Sequence, residues 1–157
     1  MSVVRAAVLT ISTSIAAGDG EDVSGSALAE LCGEAGLEVT RETLPDDREA
    51  IASALKRLAD HEGLRFVFTT GGTGFTPDDV TPEATRDAID REAPGIVETI
   101  RSESRRHTPL GILTRGVSGI RGRTLIVNFP GNPKAISQSW PVVEPTLRHA
   151  AETLERG

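Results

Sequence analysis

The stretch that most constrains the chain is LRFVFTTGGTG, residues 64–74, where a compact, mostly apolar run stops abruptly at a group of glycines. A short run of this kind reads as a strand buried on both faces, and such strands belong to sheets covered by helices on each side. Two further runs have related character: residues 3–11 (VVRAAVLTI) are nearly continuous in apolarity, and residues 37–44 alternate. Helical patterns lie between them. Leu28, Leu31, Cys32 and Ala35 recur at helical spacing and end at Gly36, the place of a helix C-terminal glycine. Asp46 and Glu49 have capping-box spacing ahead of Ile51, Leu55, Leu58 and Ala59. Thr81 reads as an N-cap before Pro82 at the first helical position, and Pro94-Gly95 separates that helix from another over residues 96–106. Residues 117–120 and 123–129 read as a β-hairpin or near-hairpin across Arg121-Gly122. Ile136, Trp140, Val143, Leu147, Ala150 and Leu154 then trace one stripe of a C-terminal helix, with a bend expected at Pro141 or Pro145.

Strands alternating with helices predict an α/β protein, a three-layer α/β/α sandwich around a mostly parallel sheet. The 157 residues suit a single domain over residues 1–157, and 38% hydrophobic residues supply a packed core. The net charge of −6 and the 3% of aromatic residues argue against a nucleic-acid partner, since the field repels phosphate backbones and there are few rings to stack bases on. A single cysteine, Cys32, excludes an intrachain disulfide framework and a multi-cysteine zinc site, and fits a reducing, cytoplasmic setting. No run reads as an export signal or a membrane span.

In a parallel α/β sheet, ligands bind at the carboxyl ends of the strands, so chemistry is sought in the loops there. The block TTGGTGFTPDDVTPEAT, residues 69–85, joins a buried strand to a helix through Gly71, Gly72 and Gly74, with hydroxyls from Thr70 and Thr73. Without Cβ atoms in the way, backbone N–H groups can face an anion or a flat polar ring, although a sharp glycine turn without a ligand is the competing reading. It is not a P-loop, because no G-x-x-x-x-G-K-[ST] occurs anywhere. Asp78 and Asp79 follow the glycine loop, and Asp46 and Asp47 follow the second strand, so two acidic pairs can converge on one rim. Carboxylates beside a phosphate loop suggest Mg²⁺, which uses few carboxylates together with substrate phosphates. Helix capping competes with catalysis for Asp46.

A second ligand-like connection is NFPGNPKA, residues 128–135, where Pro130, Gly131 and Asn132 lead into a helix whose first turn carries Lys134, set either beside a bound anion or in solvent. Arg115, Arg121 and Arg123 form a local basic cluster that can neutralise an anionic substrate or serve as ordinary surface charge. Ser118 lacks the spacing of a nucleophile elbow, and His61, His107 and His149 fit no metal-ligand spacing. Cys32, on an apolar stripe, reads as a structural thiol.

Four blocks in order, DVSGSAL from Asp22, LPDDREAI from Leu44, TTGGTGFTPDDVTPEAT and LTRGVSGIRGRTLIVNFPGNPKA from Leu113, make the chain resemble the Mog/MoaB family, the molybdopterin adenylyltransferases of molybdenum cofactor biosynthesis. The resemblance covers nearly the whole length. It implies the molybdopterin-binding fold, a homotrimer or hexamer, and Mg²⁺-dependent transfer of AMP from ATP to the terminal phosphate of molybdopterin. By motif position Asp46 and Asp79 match the family's essential acidic residues, assigned to Mg²⁺ and substrate positioning. Gly71, Gly72, Thr73 and Gly74 match the substrate loop, and Ser24 and Gly25 a further binding segment. Ser12 and Thr13, at the end of the first strand, can donate to phosphate. Here the run is Ile11-Ser12-Thr13-Ser14, where relatives commonly carry Asp or Asn after that serine. A molybdenum-insertion enzyme is the partner implied, and a non-catalytic molybdopterin-binding or carrier protein of the same fold is the alternative.

Overall fold

The computed structural model describes residues 3–156. Its elements are β1 (Arg5–Ile11), α1 (Thr13–Ala16), α2 (Val23–Glu34), β2 (Glu38–Leu44), α3 (Arg48–Asp60), β3 (Phe66–Thr70), α4 (Thr81–Ala88), β4 (Arg91–Glu92), α5 (Gly95–His107), a 3₁₀ turn (Pro109–Leu113), β5 (Ser118–Arg121), β6 (Thr124–Phe129) and α6 (Pro133–Glu155). The strands form one sheet in the order β2-β1-β3-β6-β5-β4. The first four in that order are mutually parallel, and β5 and β4 complete the sheet antiparallel. The hairpin expected across Arg121-Gly122 is β5–β6, turning at Gly122 with φ 57°.

Both faces of the sheet are covered, which is why its central strands are apolar at nearly every position. Ala6, Val8, Phe66, Phe68, Leu125, Val127 and Phe129 face α2, α5 and α6, where they meet Leu28, Cys32, Ile100, Ile136, Trp140 and Leu147. Ala7, Leu9, Ile11, Val67 and Ile126 point the other way, onto Ile51, Leu55 and Leu58 of α3 and Ala84 and Ala88 of α4. Successive residues of one strand thus enter different cores, giving the three layers expected. On the first face Phe68 makes edge-on contacts with Phe129 and Trp140, centroids 5.6 and 5.9 Å away. β2 lies at the edge and is only partly buried, hence its alternation.

Two local expectations are corrected. The cap of α3 is Asp47, not Asp46: the Asp47 carboxylate accepts from Ala50 N–H at 2.8 Å. Thr81 is already helical, with Val80 at the N-cap and no side-chain cap bond, because the Thr81 hydroxyl donates to the Gly71 carbonyl at 3.0 Å instead. α6 runs unbroken from Pro133 to Glu155 through Pro141 and Pro145. Each proline lacks the N–H of a regular helical bond, and the buried stripe of Ile136, Trp140, Val143, Leu147 and Ala151 supplies the packing that offsets the loss.

Candidate functional site on the carboxyl rim of the sheet

The register carries the parallel strands to a common end. Thr10 is paired with Thr43 on one side and Thr70 on the other, and Thr70 with Phe129. The residues that follow, Ser12-Thr13, Pro45-Asp46, Gly71-Gly72 and Pro130-Gly131, therefore leave the sheet in one row. At the usual strand spacing the four strands span about 14 Å, the scale of a nucleotide. α2 covers one face and α3 the other, so the chain reverses its winding direction beside β1, which is where an open α/β sheet leaves a crevice. α2, α3, α4 and α6 all begin at this rim, so the positive ends of their helix dipoles face it.

Gly71 is where three loops touch. Its φ is 100°, and a Cβ there would lie 2.4 Å from the Ile11 carbonyl oxygen, the last residue of β1. A Cβ on Gly131 would lie 3.1 Å from the Gly71 Cα, so the β6–α6 loop also closes on this point. Thr70 adds to the seam: its buried hydroxyl donates to the Pro130 carbonyl at 2.7 Å, joining the two loops. Gly72, with φ 71°, makes room for the Thr81 hydroxyl, and a Cβ on Gly74 would stand 2.8 Å from an Asp79 carboxylate oxygen.

Each of the two carboxylates is held through one oxygen. Asp46 Oδ2 accepts from the Thr13 N–H at 3.2 Å and the Thr13 hydroxyl at 3.1 Å, while the Asp46 N–H donates to that same hydroxyl at 2.9 Å. Asp79 Oδ2 accepts from the N–H and the hydroxyl of Thr76, both at 2.9 Å. No hydrogen bond to Oδ1 of either residue occurs among the described residues. Asp46 also opens onto a polar cleft of about 830 Å³ with Asp47, Lys56 and Val80. Two apolar hollows lie away from the rim, one at the amino ends of the strands around Val4 and Phe66 and one between α5 and α6.

The remaining predicted residues divide. Ser24 and Gly25 stand in the first turn of α2, where Gly25 N–H donates to the Asp22 cap at 2.9 Å and a Cβ would strike the Thr10 hydroxyl. Ser12 caps α1, and Asn132 caps α6 by accepting from Lys134 N–H and Ala135 N–H. Lys134 is exposed in that first turn. The basic cluster is not one in space. Arg121 pairs with Asp60 at the far end of α3 at 2.7 Å, and the Arg123 carbonyl receives Arg65 there, so both lie at the amino ends of the strands. Only Arg115 is at the rim, and its guanidinium is bound to Gly74, Asp79 and Glu83. Its bond with Arg115 lowers the Glu83 pKa below the usual carboxylate value.

Two polar side chains that sequence patterns did not single out organise the rim from below. Asp22 caps α2 and also accepts from Thr10 at 2.7 Å and Arg41 at 2.9 Å. Asn128, buried in β6, donates to Thr69 and Thr85 at 2.9 and 3.0 Å and accepts from Val117 N–H at 2.9 Å. A lone amide inside the apolar run TLIVNF is the sequence signal by which it can be found. Ser118 is structural, donating to the Ala93 carbonyl at 2.6 Å, and burial pushes the Cys32 thiol up to about 12, which leaves it protonated and inert.

Fold and rim together define an α/β protein that gathers glycine loops and carboxylates at the carboxyl ends of parallel strands, the arrangement suited to phosphate-bearing ligands. The chain belongs to the molybdopterin-binding domain family: the model described as a probable molybdopterin binding domain matches residues 7–149. It is 35% identical to a molybdopterin adenylyltransferase of Helicobacter pylori strain J99, over 98% of this chain and 89% of that protein. With the Escherichia coli K12 molybdopterin adenylyltransferase it shares 37% identity over 88% of this chain and 73% of that protein. With the Drosophila melanogaster molybdenum cofactor synthesis protein cinnamon it shares 41%, but spans only 25% of that longer protein. Among solved structures, the molybdopterin biosynthesis enzyme MoaB from Thermus thermophilus superposes with a TM-score of 0.91 at 42% identity, covering 99% of this chain and 98% of that one. These findings agree with the Mog/MoaB resemblance.

Proposed function

We propose that the protein is a molybdopterin adenylyltransferase, an enzyme of molybdenum cofactor biosynthesis that transfers AMP from ATP to the terminal phosphate of molybdopterin. The observation that carries this reading is the rim itself, where the two half-engaged carboxylates, Asp46 after β2 and Asp79 with Gly71–Gly74 after β3, follow the parallel strands on either side of β1. A molybdopterin phosphate oxygen attacks the α-phosphorus of ATP. A new P–O bond forms, the bond to the β-phosphate bridge breaks, and pyrophosphate leaves. Such chemistry needs alignment and charge neutralisation more than proton transfer. The glycine-loop N–H groups and the first turns of α2, α4 and α6 orient the phosphates, with Lys134 supplying a cation beside them.

The donor set fits Mg²⁺ in its substrate-completed form. It is all oxygen, from the carboxylates of Asp46 and Asp79, and Mg²⁺ takes few protein carboxylates together with substrate phosphates. Bound with ATP, the ion would offset charge on the phosphates; Thr13 and Thr76 hold the two carboxylates that would receive it. The same reading places the protein in the cytoplasm as one domain and as a homotrimer or hexamer, with a molybdenum-insertion enzyme taking up the adenylylated product. Support for self-association comes from Phe75, Leu110, Ile112 and Leu113, exposed apolar side chains on the segments joined by the Thr73–Thr114 contact.

The test mixes purified protein with molybdopterin, ATP and Mg²⁺ and follows AMP transfer and pyrophosphate release. Turnover that Asp79→Asn lowers about 100-fold, with the melting temperature nearly unchanged, supports the reading. Tight molybdopterin binding without transfer would point to a carrier instead.

A further inference from the structure

Arg115 sits at the rim, yet the chemistry above assigns it nothing. Its Nε donates to the Gly74 carbonyl at 2.8 Å and Nη2 to the Asp79 carbonyl at 2.8 Å, while Nη1 and Nη2 reach the Glu83 carboxylate at 2.7 and 3.3 Å. Its own N–H donates to the Thr73 carbonyl at 2.8 Å. One residue, on the connection leading into β5, thus grips the start and the end of the glycine–aspartate loop and the first turn of α4.

The loop's own bonds do not do this. Asp79 N–H donates to the Thr76 carbonyl, and Thr76 returns two bonds to the Asp79 carboxylate, which shapes the turn without fixing it to the sheet. Thr81 holds only the base, through Gly71 and Gly72. The Arg115 segment is itself anchored. Arg101 of α5 donates to the Gly116 carbonyl at 3.0 Å, and Val117 pairs with Asn128 of β6 through its N–H and carbonyl. A planar guanidinium spreads its donors over three nitrogens in a fixed fork and so reaches two separate carbonyls and both oxygens of a carboxylate, whereas an ammonium has three donors on a single atom.

We propose that Arg115 is a positioning residue: it clamps residues 73–79 to the β5 side of the rim, so that the Asp79 carboxylate and the loop N–H groups keep their places for adenylyl transfer. This extends the transferase reading and rests on it for the catalytic half. The rival role is the one suggested by composition, a cation that simply neutralises the substrate; the two differ in whether charge alone suffices.

The experiment compares the unaltered protein with Arg115→Lys, Arg115→Gln and Glu83→Gln, by amide hydrogen exchange and by steady-state AMP transfer. Both Arg115 variants should speed exchange across residues 73–80 about tenfold, with β1, β3 and β6 as protected as before. In both, kcat should fall about 100-fold while KM for ATP stays within about threefold. Glu83→Gln keeps both carbonyl contacts and should lose about threefold or less in kcat. Unchanged exchange in the loop, an Arg115→Lys enzyme with unaltered kcat, or a loss confined to KM would each overturn the clamp. Should Arg115→Gln lose protection throughout the sheet, the lysine variant decides. If the unaltered protein transfers no AMP, the transferase reading fails, and the exchange data still decide whether Arg115 holds the loop.

Discussion

At Gly71 a single hydrogen in place of a methyl group sets the shape of the rim. The left-handed φ of 100° and the 2.4 Å approach that a Cβ would make to the Ile11 carbonyl both forbid a larger residue. Gly71→Ala should lower the unfolding free energy by about 1–3 kcal/mol, read from denaturant midpoints. Thr13 acts at the same scale but on chemistry. It is exposed, and its hydroxyl and N–H hold one oxygen of Asp46. Thr13→Val should therefore change stability by no more than about 0.5 kcal/mol. On the transferase reading its AMP transfer should fall about tenfold, with Thr13→Ser restoring it, because the hydroxyl that donates to the Asp46 carboxylate and accepts from the Asp46 N–H is removed and returned. Equal transfer by the valine and unaltered proteins would remove Thr13 from the orienting role.

Between elements, the decisive contact is the Asn128 amide. It ties β6 to Thr69 of β3, to Thr85 of α4 and to Val117 before β5, all in the interior. The Thr85 hydroxyl passes the chain of bonds to the Thr81 carbonyl, and the Thr81 hydroxyl passes it to the Gly71 carbonyl. Asn128→Ala should cost about 1–3 kcal/mol for the partners left unpaired, and faster amide exchange should appear first at Val117. Similar thermal melting of the alanine variant and the unaltered protein would show that water takes over those partners. The same scale explains the α3 cap. Asp46 and Asp47 are adjacent, and the turn after β2 gives the cap to Asp47, which leaves Asp46 for Thr13.

Across the whole molecule, ion pairs join elements far apart in sequence: Arg115–Glu83 at the rim, Arg121–Asp60 at the other end of the sheet and Arg48–Asp87 between α3 and α4. In each pair the hydrogen bond from arginine holds the carboxyl below its usual pKa. A carboxyl with a depressed folded-state pKa stabilises the fold above its unfolded value. That stabilisation is lost as pH falls through the folded-state value. Urea midpoints should thus stay nearly level from neutral pH down to about pH 5 and decline below it. These pairs are partly exposed, so the decline should be gradual and reduced by salt. A midpoint that rises on acidification below pH 5 would contradict the assignment.

The apolar runs by themselves determined the layered α/β fold. Residues 64–70 can hide both of their faces only inside a sheet covered twice, and the stripe of α6 needs one of those coverings. Gly71 to Gly74 and Asp79 were legible as a rim loop for a related reason, since glycines that end a buried strand must turn there. Side-chain assignment was not legible in the same way. Arg115, Arg121 and Arg123 are neighbours along the chain, yet the β5–β6 hairpin carries them to opposite ends of the sheet. The capping-box spacing of Asp46 with Glu49 points to one aspartate while the fold gives the cap to its neighbour Asp47, and Thr70 offers a hydroxyl that the fold spends on Pro130. Burial patterns are local and repeat with the period of each element, so a sequence displays them. Which donor meets which acceptor depends on strand order and register across dozens of residues, and only the tertiary structure decides that.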